Sequence, residues 1–266
     1  MERAGMTTAS SKTSKIQEVQ DRIITVDKVD PYTRVLIQAP NKQGKTRFGA
    51  SLPGTLVVDI NERGTKSIRG FEDVDVFHAK NWADVVYAYW FLRASCEGKT
   101  KKRYKCYSID TITQAQHVCM AHVLKEAEDR DPYRDPKTPT MRDWLRVAEL
   151  MKPQILFFRN LPMHGVFLAQ ERSIDNEEGE NERVPDLSPG SRGTLMAATD
   201  VIGRLFQKEV RAVNKSSGKE IKKWQTFMLV GPHERYPTGT RLDLPRVLRD
   251  PTMEDFINAD RRDNHG

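Results

Sequence analysis

Cysteine is scarce in this chain: Cys96, Cys106 and Cys119 are three among 266 residues, with no C-x-x-C pair. An odd, scattered set excludes a disulfide framework and suits a reducing, intracellular setting such as the cytoplasm. Long apolar runs are lacking too. The longest, Val85 to Leu92, is far below the ~20 residues a membrane-spanning helix needs, so no membrane partner is expected. The N-terminus has no apolar region of the kind that marks a secretion signal. A metal cluster is equally thin. His117, Cys119 and His122 are near one another in sequence, but the two histidines do not share a helical face, which favours ordinary helix residues over zinc ligands. No internal repeat or clear domain boundary is visible.

What remains describes one large α/β domain, or a domain with appendages. A hydrophobic fraction of 38% supports a real core, while 30% charged residues leave a wet surface. The net charge of +6 suits a polyanionic partner without proving one, and it is spread along the chain rather than gathered in a tail.

The most informative stretch is Val35-Leu36-Ile37-Gln38-Ala39-Pro40-Asn41-Lys42-Gln43-Gly44-Lys45-Thr46. It reads as a buried strand entering a phosphate-binding loop that opens a helix. The pattern is G-x-x-x-x-G-K-[ST], with Ala39 standing where the first glycine belongs. Gly44 lets the backbone turn close to an anion. Lys45 can reach the β- and γ-phosphates, Thr46 can hold Mg²⁺, and free N–H groups at the helix start point at phosphate. Pro40 to Arg47 (Pro40, Asn41, Lys42, Gln43, Gly44, Lys45, Thr46 and Arg47) is therefore the expected ATP-binding segment. The plain alternative is a basic surface turn.

Further strands are expected at 55–60, 75–78, 104–110, 164–170, 200–206 and 209–213. Residues 224–230 return as a hairpin partner after a turn at 216–218. Helices are expected at 82–96, with Asn81 as cap, and at 111–128 and 141–159, where Pro153 should kink or restart the helix. The polar stretch from Glu171 to Gly193 is too long for an ordinary connection and reads as mobile. Strands alternating with helices predict a mostly parallel sheet covered on both faces, extended at one edge by antiparallel strands. The expected division is a flexible segment at 1–30, a core at 31–235 and a polar tail at 236–266 with a short terminal helix.

Asp110 ends a buried strand, where an acid can orient a water on Mg²⁺; a helix cap before Thr111 is the alternative. Glu62 follows the second strand and could activate water as a general base, with Asp59 as the alternative and a surface turn as the plain reading. Gln170 ends another core strand, where an amide can sense the γ-phosphate.

Together, the loop from Val35 to Thr46, Tyr107-Ser108-Ile109-Asp110-Thr111-Ile112-Thr113 and Val166-Phe167-Leu168-Ala169-Gln170 resemble the successive core motifs of RecA-like P-loop ATPases. With Asp186-Leu187-Ser188-Pro189-Gly190 and Thr199 to Arg204, residues 30–235 look closest to phage nucleotide-binding proteins of the Sak-four single-strand annealing type. The resemblance implies ATP and Mg²⁺ as cofactors, with Lys45, Thr46 and Asp110 as phosphate and metal residues, and Thr46 and Asp110 as the Mg²⁺ set. It implies that Lys45, Glu62, Asp110 and Gln170 form the catalytic group, with Gln170 coupling nucleotide to a DNA-binding loop. Glu62 matches less well, because the family's Asp-x-Glu spacing stands here as Asp59-Ile60-Asn61-Glu62. It further implies a homo-oligomer, ring or filament, working on single-stranded DNA in recombination or annealing. A single-stranded DNA-binding protein is a further expected partner, and a bacterial host cytoplasm the expected location if the chain is phage-encoded.

Three strips are candidates for nucleic acid. Arg172, Arg183 and Arg192 lie in the loop after Gln170, interrupted by Glu177, Glu178, Glu180 and Glu182. Arg130, Tyr133, Arg134, Lys137 and Arg142 combine phosphate-seeking cations with a stacking ring. Lys215, Lys219, Lys222 and Lys223 with Trp224 surround the hairpin, where lysines also serve as edge protection. Arg235, Arg241 and Arg246 are candidates for reaching a neighbouring subunit's nucleotide. One rival reading is a nucleotide-gated platform for replication or recombination proteins with little hydrolysis; another is a small-molecule kinase.

Overall fold

The computed structural model describes residues 15–25, 30–135, 137–175, 179–213 and 220–263. Residues up to Pro31 form a unit of their own, and Tyr32 to Gly266 form the other. In the first, residues 15–21 are helical.

In the second unit, β1 (Arg34–Gln38) is buried along its whole length. It leads through the phosphate-loop sequence into α1 (Lys45–Gly49). Next come β2 (Thr55–Ile60), a 3-10 turn (Gly64–Ile68), β3 (Val74–Ala79), α2 (Trp82–Cys96), β4 (Cys106–Asp110) and α3 (Ile112–Arg130). The chain continues through α4 (Met141–Arg159), β5 (His164–Ala169), β6 (Glu171–Asp175), β7 (Asn181–Pro185) and α5 (Pro189–Ala197). It ends with β8 (Val201–Val213), β9 (Glu220–Leu229), β10 (Gly239–Thr240), β11 (Val247–Arg249) and α6 (Met253–Asp263).

The main sheet runs β11-β9-β8-β1-β5-β4-β2-β3, with β10 added on β8. From β3 to β8 all pairs are parallel, and β9, β10 and β11 attach antiparallel. This is the expected arrangement of a mostly parallel sheet with an antiparallel hairpin extension. Because side chains alternate across a strand, Leu36 joins one apolar layer and Val35 and Ile37 the other. Residues of α2 to α5 fill the first layer; Phe48 of α1 and Met253, Phe256 and Ile257 of α6 fill the second.

Four expectations change. The stretch from Glu171 to Gly193 is built, forming the β6–β7 hairpin and the start of α5; residues 176–178 lie outside the described residues. Its strands were hidden because their exposed faces are charged and no apolar alternation marks them. The helix over 141–159 runs through Pro153 without a restart. Pro153 is exposed, so the carbonyl it leaves unpaired faces water. The two strands expected at 200–206 and 209–213 are one, β8; the turn at 216–218 lies outside the described residues. The segment read as a polar tail closes the core: β11 pairs with β9, and Met253, Phe256, Ile257 and Ala259 are buried. Their i, i+3, i+4 spacing places them on one face of α6. Among the described residues no helix is long and apolar enough to cross a membrane.

Candidate active site

The end of β1 sets the site. Ala39 is fully buried and its N–H is bonded to Ala169 O at 3.2 Å, so the loop departs from a fixed point between β1 and β5. Asn41 and Lys42 are exposed at its crest. Lys42 (φ 64°) and Gly44 (φ 97°) adopt left-handed backbone, which turns the chain back for α1. Glycine is suited to that conformation. Gly49 has a different use: a Cβ there would lie 2.3 Å from Ser108 Oγ, so its bareness lets α1 lie close to β4.

Lys45 is 7% exposed, and its Nζ donates to Ala39 O and Pro40 O at 2.9 Å each. Burial lowers its pKa, opposed by the charges of Asp110, Glu62 and Glu171. Gln43 Oε1 accepts from Gln207 N at 2.9 Å, tying the loop to β8. Arg47 donates to Ser67 O at 3.0 Å, and its guanidinium lies 5.1 Å from the Phe71 ring centroid. Beside the loop is a cleft of about 510 Å³ whose walls include Gly44, Arg47, Phe71, Leu205, Thr226 and Asp250.

Thr46 Oγ1 donates to Asp110 Oδ2 at 2.7 Å. Asp110 is 2% exposed; burial pushes its carboxyl up to about 6, with Asp59 and Glu62 adding to the rise and the Thr46 bond and Lys45 opposing it. The helix cap beside it is Thr111, which accepts from Gln114 N at 3.2 Å.

Glu62 Oε1 accepts from Gln170 Nε2 at 2.6 Å and lies 3.4 Å from Thr111 Oγ1. On either side of Glu62, Asn61 (φ 59°) and Arg63 (φ 50°) adopt left-handed backbone. Asp59 is 1% exposed. Its Oδ1 accepts from the N–H groups of Glu62 and Arg63, and its Oδ2 meets His78 Nδ1. Gly64, which no sequence signal singled out, faces the same point: a Cβ there would be 3.0 Å from Thr46 Oγ1 and 3.9 Å from Asp110 Oδ2.

Gln170 links this group to the β6–β7 hairpin. Its N–H donates to Thr113 Oγ1 at 3.0 Å and its carbonyl accepts from Asp186 N at 2.8 Å. Gln38 Nε2 donates to Arg183 O at 3.1 Å. At the hairpin root the side chain of Glu171 is 2% exposed and pairs with Arg204 Nε at 2.6 Å. Arg204 stacks 4.2 Å from the Tyr236 centroid. These partners are too far apart in sequence for local pattern to join them.

The residues considered for nucleic acid divide. Arg172 lies 3.7 Å from Asp186, and Arg183 3.7 Å from Glu171. Arg192 keeps a buried NH1 without a hydrogen bond among the described residues, and burial together with Arg172 lowers its pKa. Arg134 forms an ion pair with Asp143, which is 3% exposed; the guanidinium holds that carboxyl well below the usual range. Asp143 also accepts from Thr140 N and Oγ1, closing the cap of α4, so Arg134 is spent on the corner. Arg130, Arg142 and Arg146 line a cleft of about 600 Å³ between α3 and α4, where exposed ion pairs join Arg130 to Glu126 at 3.4 Å and Arg146 to Glu149 at 3.2 Å; Tyr133 is 99% exposed. Trp224 is exposed on β9 and Lys222 pairs with Glu209 at 3.2 Å; Lys215 and Lys219 lie outside the described residues. Arg241 is paired with Asp200 at 3.2 Å.

A family model described as an AAA domain matches residues 32–242. No curated protein matches the chain. Among solved structures, the crystal structure of a KaiC-like protein from the hyperthermophilic archaeon Pyrococcus horikoshii OT3 is similar at 11% identity, covering 82% of this chain and 89% of that one with a TM-score of 0.41.

Proposed function

The chain belongs to the AAA domain family, and from that premise we propose that it hydrolyses ATP with Mg²⁺ and uses the nucleotide state to control binding of single-stranded DNA. The observation that carries this reading is the run of contacts from Thr46 to Asp110, and from Glu62 to Gln170 and the β6–β7 hairpin. The residues fit a magnesium nucleotide: Gly44 and Gly64 leave bare backbone where phosphate and metal need close approach, and Thr46 and Asp110 supply the oxygen donors Mg²⁺ prefers. The metal would supply charge neutralisation for phosphoryl transfer.

In this reading the Lys45 ammonium neutralises phosphate charge, and the loop N–H groups hold phosphate oxygens. The cleft walled by Arg47, Phe71 and Asp250 receives the nucleoside. Glu62 orients the attacking water as general base. Gln170, which shares its hydrogen bond with Glu62, transmits the change to the hairpin. Single-stranded DNA would follow the cleft between α3 and α4, with Arg130, Arg142 and Arg146 on phosphates and Tyr133 as a stacking surface. A homo-oligomeric ring or filament of the phage recombination type, assisted by a single-stranded DNA-binding protein, is the assembly this role calls for.

A second reading, a nucleotide-gated platform with little turnover, draws support from the 2.6 Å bond that holds Glu62 on Gln170. The experiment is steady-state ATP hydrolysis with and without a single-stranded oligonucleotide, in wild type and Glu62→Gln. The ATPase reading expects DNA-stimulated turnover that falls by ~10²–10⁴-fold in the variant, the range for losing a general base. Wild-type turnover no faster than Glu62→Gln, with ATP still bound, supports the platform instead.

A further inference from the structure

We infer that Asp59 is a positioning residue for Glu62, holding the turn that aims its carboxylate, and that His78 holds Asp59. The inference rests on the reading of Glu62 as the group that orients water.

Asp59 is the penultimate residue of β2, and both its oxygens are already engaged. Oδ1 accepts from the N–H of Glu62 at 3.2 Å and of Arg63 at 3.1 Å. Oδ2 lies 3.1 Å from Nδ1 of His78, its register partner on β3. A carboxylate so committed and almost wholly buried has no free face for water or substrate, which removes it as the base and leaves it as a support.

The turn needs that support. Asn61 and Arg63 both occupy left-handed backbone, which side chains with a Cβ disfavour. A side-chain oxygen bonded to successive backbone N–H groups is the kind of local bond that stabilises such a turn. The turn's geometry matters in two places. It delivers Glu62 Oε1 to Gln170 Nε2 and within 3.4 Å of Thr111 Oγ1. It also sets Gly64 against the Thr46–Asp110 pair. Relaxation of the turn would shift Glu62 and Gly64 together, and a displacement of about 1 Å in a positioned group can slow a reaction by ~10²-fold.

The His78 side chain is 60% accessible. It reaches Asp59 from the neighbouring strand and fixes the carboxylate's rotation, so that Oδ1 faces the turn. A supporting residue behind a reactive one is how a site keeps its geometry without touching substrate.

The test compares Asp59→Ala, Asp59→Asn and His78→Ala with wild type. It reads kcat and KM for ATP hydrolysis, calorimetric affinity for a non-hydrolysable ATP analogue with Mg²⁺, and hydrogen exchange across residues 60–64. Asp59→Ala is expected to lower kcat by ~30–100-fold while analogue affinity stays within about 3-fold, and to speed exchange in the turn. Asp59→Asn keeps an oxygen for both N–H groups, so it should recover most of that loss and most of the exchange protection. His78→Ala should fall between wild type and Asp59→Ala. If Asp59→Asn is as slow as Asp59→Ala, the charge itself acts in the chemistry and the inference is overturned. Parallel loss of kcat and analogue affinity also overturns it, by showing a merely structural role. A His78→Ala protein equal to wild type removes the second half. A wild type that hydrolyses nothing defeats the reading of Glu62, yet unchanged exchange in Asp59→Ala would still defeat the positioning inference separately.

Discussion

Thr46 and Asp110 stand 64 residues apart in sequence and 2.7 Å apart in space, the hydroxyl donating to the carboxylate. Thr46 opens α1 after β1, and Asp110 ends β4, with β5 lying between those two strands in the sheet. Asp110 is buried and Thr46 half-buried, and burial raises the Asp110 carboxyl from 3.8 to about 6.

That shift has a definite consequence for stability. A carboxyl with a raised folded pKa binds more protons in the folded than in the unfolded protein between about pH 4 and 6, so stability falls as pH rises through that window. The shift corresponds to ~3 kcal/mol at neutral pH. Asp110→Asn carries no such charge. Without nucleotide or Mg²⁺, it should melt above wild type at pH 7.5, and the gap should close as pH falls to 4. Thermal melts at several pH values check this. A gap independent of pH would place the cause elsewhere.

Lys45 is the one side chain of the loop directed into its buried interior. If it neutralises phosphate as proposed, its replacement by alanine removes a charge-assisted contact of a kind worth ~1.5–3 kcal/mol, and ATP affinity should fall by roughly one to two orders of magnitude. Calorimetry on the folded variant reads this directly. An unchanged affinity would remove Lys45 from the site.

Phe256 is fully buried and packs edge-on against Phe48 of α1, with ring centroids 5.7 Å apart. Phe256→Ala should destabilise the protein by ~3–5 kcal/mol, as large-to-small core changes do. The helix near the C-terminus also supports the segment that carries Lys45, so nucleotide affinity should weaken with it. Urea denaturation gives the first value; a loss below ~1 kcal/mol would mean α6 is dispensable to the core.

How far the sequence disclosed this arrangement depended on distance along the chain. The strand, the loop and Lys45–Thr46 are contiguous, and Asp110 is marked by ending an apolar run, so local pattern was enough. Glu62 and Asp59 are equally legible as acids near the end of a strand. The bonds from the turn N–H groups and from His78 that distinguish Asp59 from Glu62 exist only in the folded chain. The Glu171–Arg204 pair joins residues 33 apart, one in a stretch that read as mobile because it is charged throughout. The apolar face of α6, formed by Met253, Phe256 and Ile257, is masked in the sequence by the acidic and basic residues around it. Arg134 looked like a DNA contact because its partner Asp143 lies across a turn whose shape composition does not reveal.

The Glu171–Arg204 pair yields a further prediction. Arg204→Ala leaves a buried carboxylate whose one remaining ion pair among the described residues is the 3.7 Å contact from Arg183, which should cost ~3–5 kcal/mol. Replacing both members, Glu171→Leu with Arg204→Met, should recover much of the stability. The hairpin root should exchange amide hydrogens faster in the single variant than in the double. Equal exchange in the two would show that the pair does not anchor β6 and β7.

Fluorescence anisotropy on a labelled oligonucleotide reads whether nucleotide state controls the binding of single-stranded DNA. Affinity is compared with an ATP analogue, with ADP and with no nucleotide, at two salt concentrations, for wild type, Gln170→Ala and Arg142→Ala/Arg146→Ala. A coupling of ~1–3 kcal/mol would make the ATP-analogue state bind 5- to 150-fold tighter than the ADP state. Gln170→Ala should flatten that difference, and the arginine variant should weaken binding in every state with a shallower dependence on salt. Wild-type DNA affinity equal in all three nucleotide states, or no DNA binding in any of them, would contradict that control.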